Sequence, residues 1–78
     1  MNSYRFQEVL CPFCQKRYVT MVCDDYDLIV KHGGRILKGW RDKCTKCGSS
    51  VFVIENEQNG EDISKYSKES ITEYFRLR

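Results

Sequence analysis

Two cysteine pairs with the same internal spacing are the residues of this 78-residue chain best suited to chemistry. Cys11 and Cys14 form the first pair, Cys44 and Cys47 form the second, and 29 residues separate the two pairs. Two residues between thiolates let both sulfurs reach one ion while the backbone turns around it, and two such turns complete a tetrahedron. The spacing therefore predicts one four-sulfur metal site.

Disulfide bonds and two redox pairs are the alternatives for these cysteines. The chain has five cysteines, and an odd number suits a disulfide framework poorly. No apolar run has the length of a signal-peptide core and no segment could cross a bilayer, which predicts a soluble, cytoplasmic protein with reduced thiols. A thioredoxin-like redox site needs a long helix after the Cys-x-x-Cys turn, and the sequence after Cys14 does not predict one.

The chain is long enough for one small domain. A core of this size stabilises a fold by only about 3–5 kcal/mol, whereas a structural zinc contributes on the order of 10 kcal/mol or more to folding. We therefore expect one Zn²⁺ per chain, and we expect its removal to unfold much of residues 9 to 54.

Strand-like sequence surrounds both cysteine pairs. Alternation predicts a strand from Tyr4 to Leu10, and β-branched residues predict a second strand over 18–23. Residues 28–37 have the pattern of a hairpin, because Gly33-Gly34 supplies the positive φ angles of a tight turn. Val51-Phe52-Val53-Ile54 is continuously apolar, which favours a central strand.

Residues 61–78 have a different pattern, which predicts a C-terminal helix. Ser64 or Ser67 could cap its start, and Arg76 and Arg78 lie in its last turn, where cations suit the helix dipole. The apolar and aromatic positions at helical spacing are Ile63, Tyr66, Ile71, Tyr74 and Phe75.

The two cysteine turns within these strands resemble the knuckles of a rubredoxin-like zinc ribbon. The similar segments are Cys-Pro-Phe-Cys at 11–14 and Cys-Thr-Lys-Cys-Gly at 44–48, and the resemblance covers residues 4 to 54. It implies a small metal-stabilised β (α+β) fold, with a short antiparallel sheet and the knuckles at one end. We expect residues 1–58 to form the ribbon and 61–78 to form a helix that is packed on the ribbon or appended to it, within a single domain.

True rubredoxins share this spacing between the pairs and hold iron for electron transfer. This chain departs from them at Gln15, where they have glycine, and it lacks the aromatic Gly-Tyr-x-Tyr run that follows. Its middle is also basic, whereas rubredoxins are typically acidic. These differences favour zinc, and a rubredoxin-like iron electron carrier is the alternative function.

The middle of the chain is basic although the net charge is only +2. Residues 31–46 hold six lysines and arginines against Asp42 alone. These cations could contact phosphates while Trp40 stacks on a base, or they could simply keep a solvated hairpin soluble. The candidate contact residues are Arg35, Lys38, Trp40, Arg41, Lys43 and Lys46.

Three other side chains have both a chemical and a structural interpretation. Trp40 could pack over the metal site or project outward as an anchor for a partner. Cys23 could be a reactive thiol, but its phase with Val19 and Met21 along the strand favours a small buried residue. His32 adjoins the predicted glycine turn, which favours a surface histidine over a metal ligand.

The sequence shows no arrangement of a nucleophile with a base and no metal site with an open position. One histidine and a fully occupied sulfur site leave no evident catalytic group. The aspartates Asp24, Asp25 and Asp27 fit a solvated turn, since the other ligands of a calcium loop are missing. We therefore predict a non-catalytic zinc-ribbon binding module, a small adaptor or regulator that contacts protein or nucleic acid, without a membrane or small-molecule substrate.

Overall fold

The computed structural model describes residues 3–74 as a β-rich chain with two antiparallel sheets. Strands β1 and β2 form the first sheet, and the second has the order β5-β4-β3-β6. No helix within the described residues is long and apolar enough to cross a membrane. The strands are β1 (Tyr4–Leu10), β2 (Arg17–Cys23), β3 (Leu28–His32), β4 (Arg35–Lys43), β5 (Ser50–Ile54) and β6 (Ile71–Glu73).

The strands predicted around the first cysteine pair and the glycine turn are confirmed. Gly33 and Gly34 connect β3 to β4 with φ angles of 58° and 78°, the left-handed region that favours glycine. Strands β2, β3 and β4 fill the interval between the cysteine pairs. Strand β4 ends at Lys43, so Cys44 is the first residue after this strand.

The prediction that residues 51–54 form a central strand is wrong. Strand β5 lies at one end of its sheet, with β4 as its ladder partner. Its outer edge is covered instead by the segment 58–61, where Phe52 and Glu61 exchange two backbone hydrogen bonds of 2.9 Å. The continuous burial of Val51 to Ile54 therefore comes from packing on both faces and a covered edge, not from a second full strand.

Residues 58–61 also connect the two sheets. The backbone N–H of Leu10 donates to the carbonyl of Gln58 at 2.7 Å, and the N–H of Gly60 donates to the carbonyl of Leu10 at 2.9 Å. A Cβ at Gly60 would lie 2.5 Å from Val51 Cγ1, so the chain can pass between β1 and β5 only without a side chain.

Strands β4 and β5 contribute to two hydrophobic clusters, one on each of their faces. Tyr18, in the first cluster, donates its hydroxyl to Asp42 Oδ2 at 2.9 Å and so ties β2 to β4. The first cluster contains Val9, Cys11, Tyr18, Val22, Trp40, Cys44, Val51 and Val53. The second contains Leu28, Val30, Phe52, Ile54 and Tyr66, with Leu37, Ile63 and Ile71 packed against it.

The predicted C-terminal helix is wrong for the described residues. Ile63–Lys65 and Lys68–Ser70 are single 3₁₀ turns, and β6 follows them and pairs with β3. Asp62, not a serine, caps the first turn by accepting from the Ser64 N–H at 3.0 Å. Serine and β-branched residues are weak helix formers, and the edge of β3 offers the segment a ladder instead. The helix positions Phe75, Arg76 and Arg78 lie outside the described residues.

Candidate metal centre

The first cysteine turn follows β1 directly and is closed by two backbone hydrogen bonds. The Gln15 N–H donates to the Cys11 carbonyl at 3.0 Å, and the Cys11 N–H donates to the Lys16 carbonyl at 3.0 Å. The Phe13 N–H points at the Cys11 sulfur, with N and Sγ 3.4 Å apart. The turn therefore presents its sulfurs while its backbone groups are satisfied internally.

The second turn follows β4 and has the same set of hydrogen bonds as the first turn. The Gly48 N–H donates to the Cys44 carbonyl at 2.8 Å, and the Cys44 N–H donates to the Ser49 carbonyl at 2.9 Å. The Lys46 N–H lies 3.3 Å from the Cys44 sulfur. Each turn therefore directs a backbone N–H at the sulfur of its first cysteine.

The four sulfurs converge between these turns. Cys11 Sγ lies 3.7 Å from Cys47 Sγ, Cys14 Sγ lies 3.8 Å from Cys44 Sγ, and all four atoms lie within 4.8 Å of one another. A tetrahedral ion with bonds of about 2.3 Å places its sulfurs about 3.8 Å apart. A disulfide requires about 2.0 Å, so the thiols are free. The cluster can hold one metal ion.

The two sides of the cluster differ in their surroundings. Cys11 and Cys44, the first cysteine of each turn, are buried in the first hydrophobic cluster, whereas Cys47 is exposed. Burial raises the pKa of the Cys14 thiol to about 11. Hydrogen bonds with Ser49 lower the pKa of the Cys47 thiol to about 6. The Cys47 thiol is therefore deprotonated more readily than the Cys14 thiol before an ion binds.

Trp40 packs in the interior beside the metal turns. Its side chain is 2% exposed and belongs to the cluster that contains Cys11 and Cys44. Its Nε1–H donates to the Asp25 carbonyl at 3.0 Å, and its ring centroid lies 5.4 Å from that of Tyr26. The structure therefore places Trp40 in the interior, as the packing interpretation predicts, and leaves its ring almost no exposed surface.

The candidate contact cations do not share one face. Alternation along β4 places Arg35, Arg41 and Lys43 on one side of the strand and Lys38 on the other. Arg41 forms an ion pair with Glu73 at 3.5 Å. Lys38 lies on the same side of β4 as Trp40. Lys46, the remaining candidate, lies in the second cysteine turn.

A smaller group of cations surrounds the metal turns, and the sequence analysis missed one of its members. Lys43 precedes the second turn, Lys46 lies within it, and Lys16 closes the first. No carboxylate among residues 3–74 lies within ion-pair distance of these three amines. The position of Lys16, two residues after Cys14, was the available signal, because both cysteine turns contribute to the same sulfur cluster.

Cys23 and His32 take structural positions outside the cluster. Cys23 is buried, as predicted, and its sulfur lies 3.6 Å from the Asp25 carbonyl. The phase argument behind that prediction is wrong, because Val19 and Met21 are exposed. His32 lies on the surface at the glycine turn, with its ring 5.2 Å from that of Tyr66 in an edge contact.

The fold and the cluster together define a small, β-rich chain with a four-cysteine site that can hold a metal, which is consistent with the zinc-ribbon resemblance. No family model, curated protein or solved structure matches the chain.

Proposed function

We propose that this chain is a non-catalytic zinc-ribbon binding module whose fold is held by one structural Zn²⁺. The convergence of four cysteine sulfurs at tetrahedral spacing carries the proposal. Four thiolates complete the coordination of one zinc, whereas a catalytic zinc keeps a position open for water or substrate. Reduced thiolates are required, so the proposal includes a cytoplasmic compartment.

Native mass spectrometry of the purified chain tests the metal. The proposal predicts a mass increase of one zinc per chain, and it predicts that Cys11→Ser and Cys44→Ser abolish zinc retention. Cys23→Ser is the matched control, because Cys23 is a buried cysteine outside the cluster and should keep the zinc. A chain without metal whose cysteines are oxidised in pairs would contradict the proposal.

The rubredoxin-like alternative uses the same four sulfurs with iron in place of zinc. Iron and zinc both accept a tetrahedral thiolate site, so the sulfur spacing alone suits either ion. Iron in the protein purified from aerobic culture, with the visible absorption of an iron–thiolate centre, would support the electron carrier. A colourless protein with one zinc would remove it.

For the adaptor role, we favour a protein partner. The outer face of the β1–β2 sheet presents large apolar side chains to solvent, which marks contact surfaces in small proteins. These side chains are Tyr4, Phe6, Val19 and Met21, and each is more than half exposed.

Nucleic acid is the second candidate partner, and the cations around the metal turns favour it. Lys16, Lys43 and Lys46 surround the turns, and the ring of Phe13 beside them is about half exposed and available for stacking. Binding to single- and double-stranded nucleic acid across a salt series tests this role, since phosphate contacts weaken steeply with salt. Alanine at the three lysines should weaken binding, whereas alanine at the exposed control Lys31 should not. No binding at low salt would leave the protein partner.

A further inference from the structure

The β1–β2 sheet has an outer face that nothing in the described chain covers. Its inner face packs on the first hydrophobic cluster, while the outer face places Phe6 opposite Met21 and Glu8 opposite Val19. Among residues 3–74, the only ion pair on this face joins Glu8 to Arg17 at 2.9 Å, so both charges are satisfied at one end. Exposed apolar patches of several hundred Å² are uncommon on monomeric proteins and mark contact sites.

Strand β2 also has an open edge. Among the described residues it pairs with β1 alone, so one row of its backbone N–H and C=O groups has no ladder partner. Soluble proteins usually protect such an edge with proline, a bulge or central charges. In β2 the single charged residue is Arg17 at its start, and the remaining six positions are uncharged.

The charges at the two ends of this edge are opposite in sign. Lys16 precedes β2, and Asp24 and Asp25 follow it. Asp24 lies 3.9 Å from Arg5 of its own chain, and its side chain remains more than half exposed. An antiparallel copy of the same strand would bring each basic end beside an acidic end, whereas a parallel copy would place like charges together.

We propose that β2 pairs with β2 of a second copy of this chain, so that the two hairpins form one four-stranded antiparallel sheet. A two-fold axis at Thr20 places Val19 opposite Met21 of the second copy and Lys16 opposite its Asp24. The pairing gives both open edges a ladder partner. It also places the two apolar outer faces side by side on the same face of the four-stranded sheet. The contact is limited to one strand edge from each copy, so we expect a weak, reversible dimer.

Sedimentation velocity of the zinc-loaded full chain over a range of concentrations tests this dimer. Two double variants at the same exposed positions test whether Val19 and Met21 face each other across the axis. One variant introduces like charges across the axis and the other introduces opposite charges. Val19→Lys with Met21→Lys places introduced lysines opposite each other across the axis and should weaken dimerisation about tenfold or more. Val19→Lys with Met21→Glu places opposite charges across the axis, keeps the introduced lysine opposite Glu8 as in the first variant, and should retain the dimer.

Both double variants alter solvent-exposed side chains, and circular dichroism with zinc content establishes that each is folded. A wild-type chain that stays monomeric at its highest soluble concentration overturns the proposal. A dimer that survives both double variants overturns this face as the interface, and loss of the dimer in both overturns the antiparallel register.

Discussion

Gln15 and Gly48 occupy equivalent positions in the two cysteine turns, and both have a left-handed backbone. Their φ angles are 64° and 78°, and each donates its N–H to the carbonyl of the first cysteine in its own turn. The Gln15 side chain also donates to the Pro12 carbonyl at 3.0 Å, which offsets part of the cost of positive φ in a non-glycine residue. The two cysteine turns therefore reach the same backbone geometry with two different residues.

Gly48→Ala should lower the free energy of unfolding of the zinc-loaded chain by about 1–2 kcal/mol. A Cβ at this position meets nothing within 4 Å, so the cost comes from the backbone conformation alone. Denaturant unfolding measures the change. Gln15→Gly is the companion variant, with a smaller change because relief of positive φ opposes the loss of the bond to Pro12. Equal stability of Gly48→Ala and wild type would contradict a left-handed second turn.

Gly60→Ala should destabilise the chain by about 1–3 kcal/mol, since the new methyl group overlaps Val51 where the segment passes between the two sheets. Asn59→Ala is the control, because its side chain is exposed and the change should stay within about 0.5 kcal/mol. Thermal unfolding followed by circular dichroism compares the two. Equal losses for both variants would argue against a close passage at Gly60.

Tyr66→Ala should lower the free energy of unfolding by about 3 kcal/mol or more. Tyr66 is 7% exposed, and its ring centroid lies 6.4 Å from that of Phe52 in an edge contact. Tyr74→Ala removes the same type of side chain from a position that is 46% exposed and should cost far less. Denaturant unfolding of the two variants measures whether the C-terminal segment is part of the core. Similar small effects would mean that the segment does not stabilise the sheet.

The stability of the chain should fall as the pH rises above about 10, and Tyr18 contributes to this loss. Burial, followed by the hydrogen bond to Asp42, raises the pKa of the Tyr18 hydroxyl well above its ordinary value. The folded state therefore holds this proton more tightly than the unfolded state. The contribution of Tyr18 to the free energy of unfolding is complete below the pKa that its hydroxyl has in the unfolded chain. It is lost progressively at higher pH.

Tyr18→Phe provides the measurement for that prediction. The variant should lose about 1 kcal/mol at neutral pH, because the hydrogen bond is removed, and its stability should decline less steeply above pH 10. Denaturant unfolding across the alkaline range compares it with the wild type. Parallel pH profiles for the two proteins would show that Tyr18 is not the group responsible.

The cysteine turns and the hairpins could be predicted from sequence because short-range features determine them. The spacing of Cys11 with Cys14 and of Cys44 with Cys47 defines the turns, and Gly33-Gly34 defines the hairpin. Each signal lies within a few residues of the structure that it produces.

The elements that were predicted wrongly depend on contacts between distant residues. Ile71–Glu73 forms a strand because the edge of β3, some 40 positions earlier in the chain, offers a ladder. Residues 58–61 cover the outer edge of β5, so this strand is buried although it lies at the end of its sheet. For Trp40 the sequence left two interpretations open, and its burial follows from the placement of the β1–β2 hairpin over β4. Spacing within each segment carries no information about these pairings.

Removal of the metal tests the central claim most directly. The zinc-loaded chain is titrated with a chelator while released zinc and the far-ultraviolet circular dichroism are recorded together. The account predicts release of one zinc per chain with parallel loss of the β-sheet signal, and recovery when zinc is returned under reducing conditions. A chain that releases its zinc and keeps its folded spectrum would contradict a fold held by Cys11, Cys14, Cys44 and Cys47.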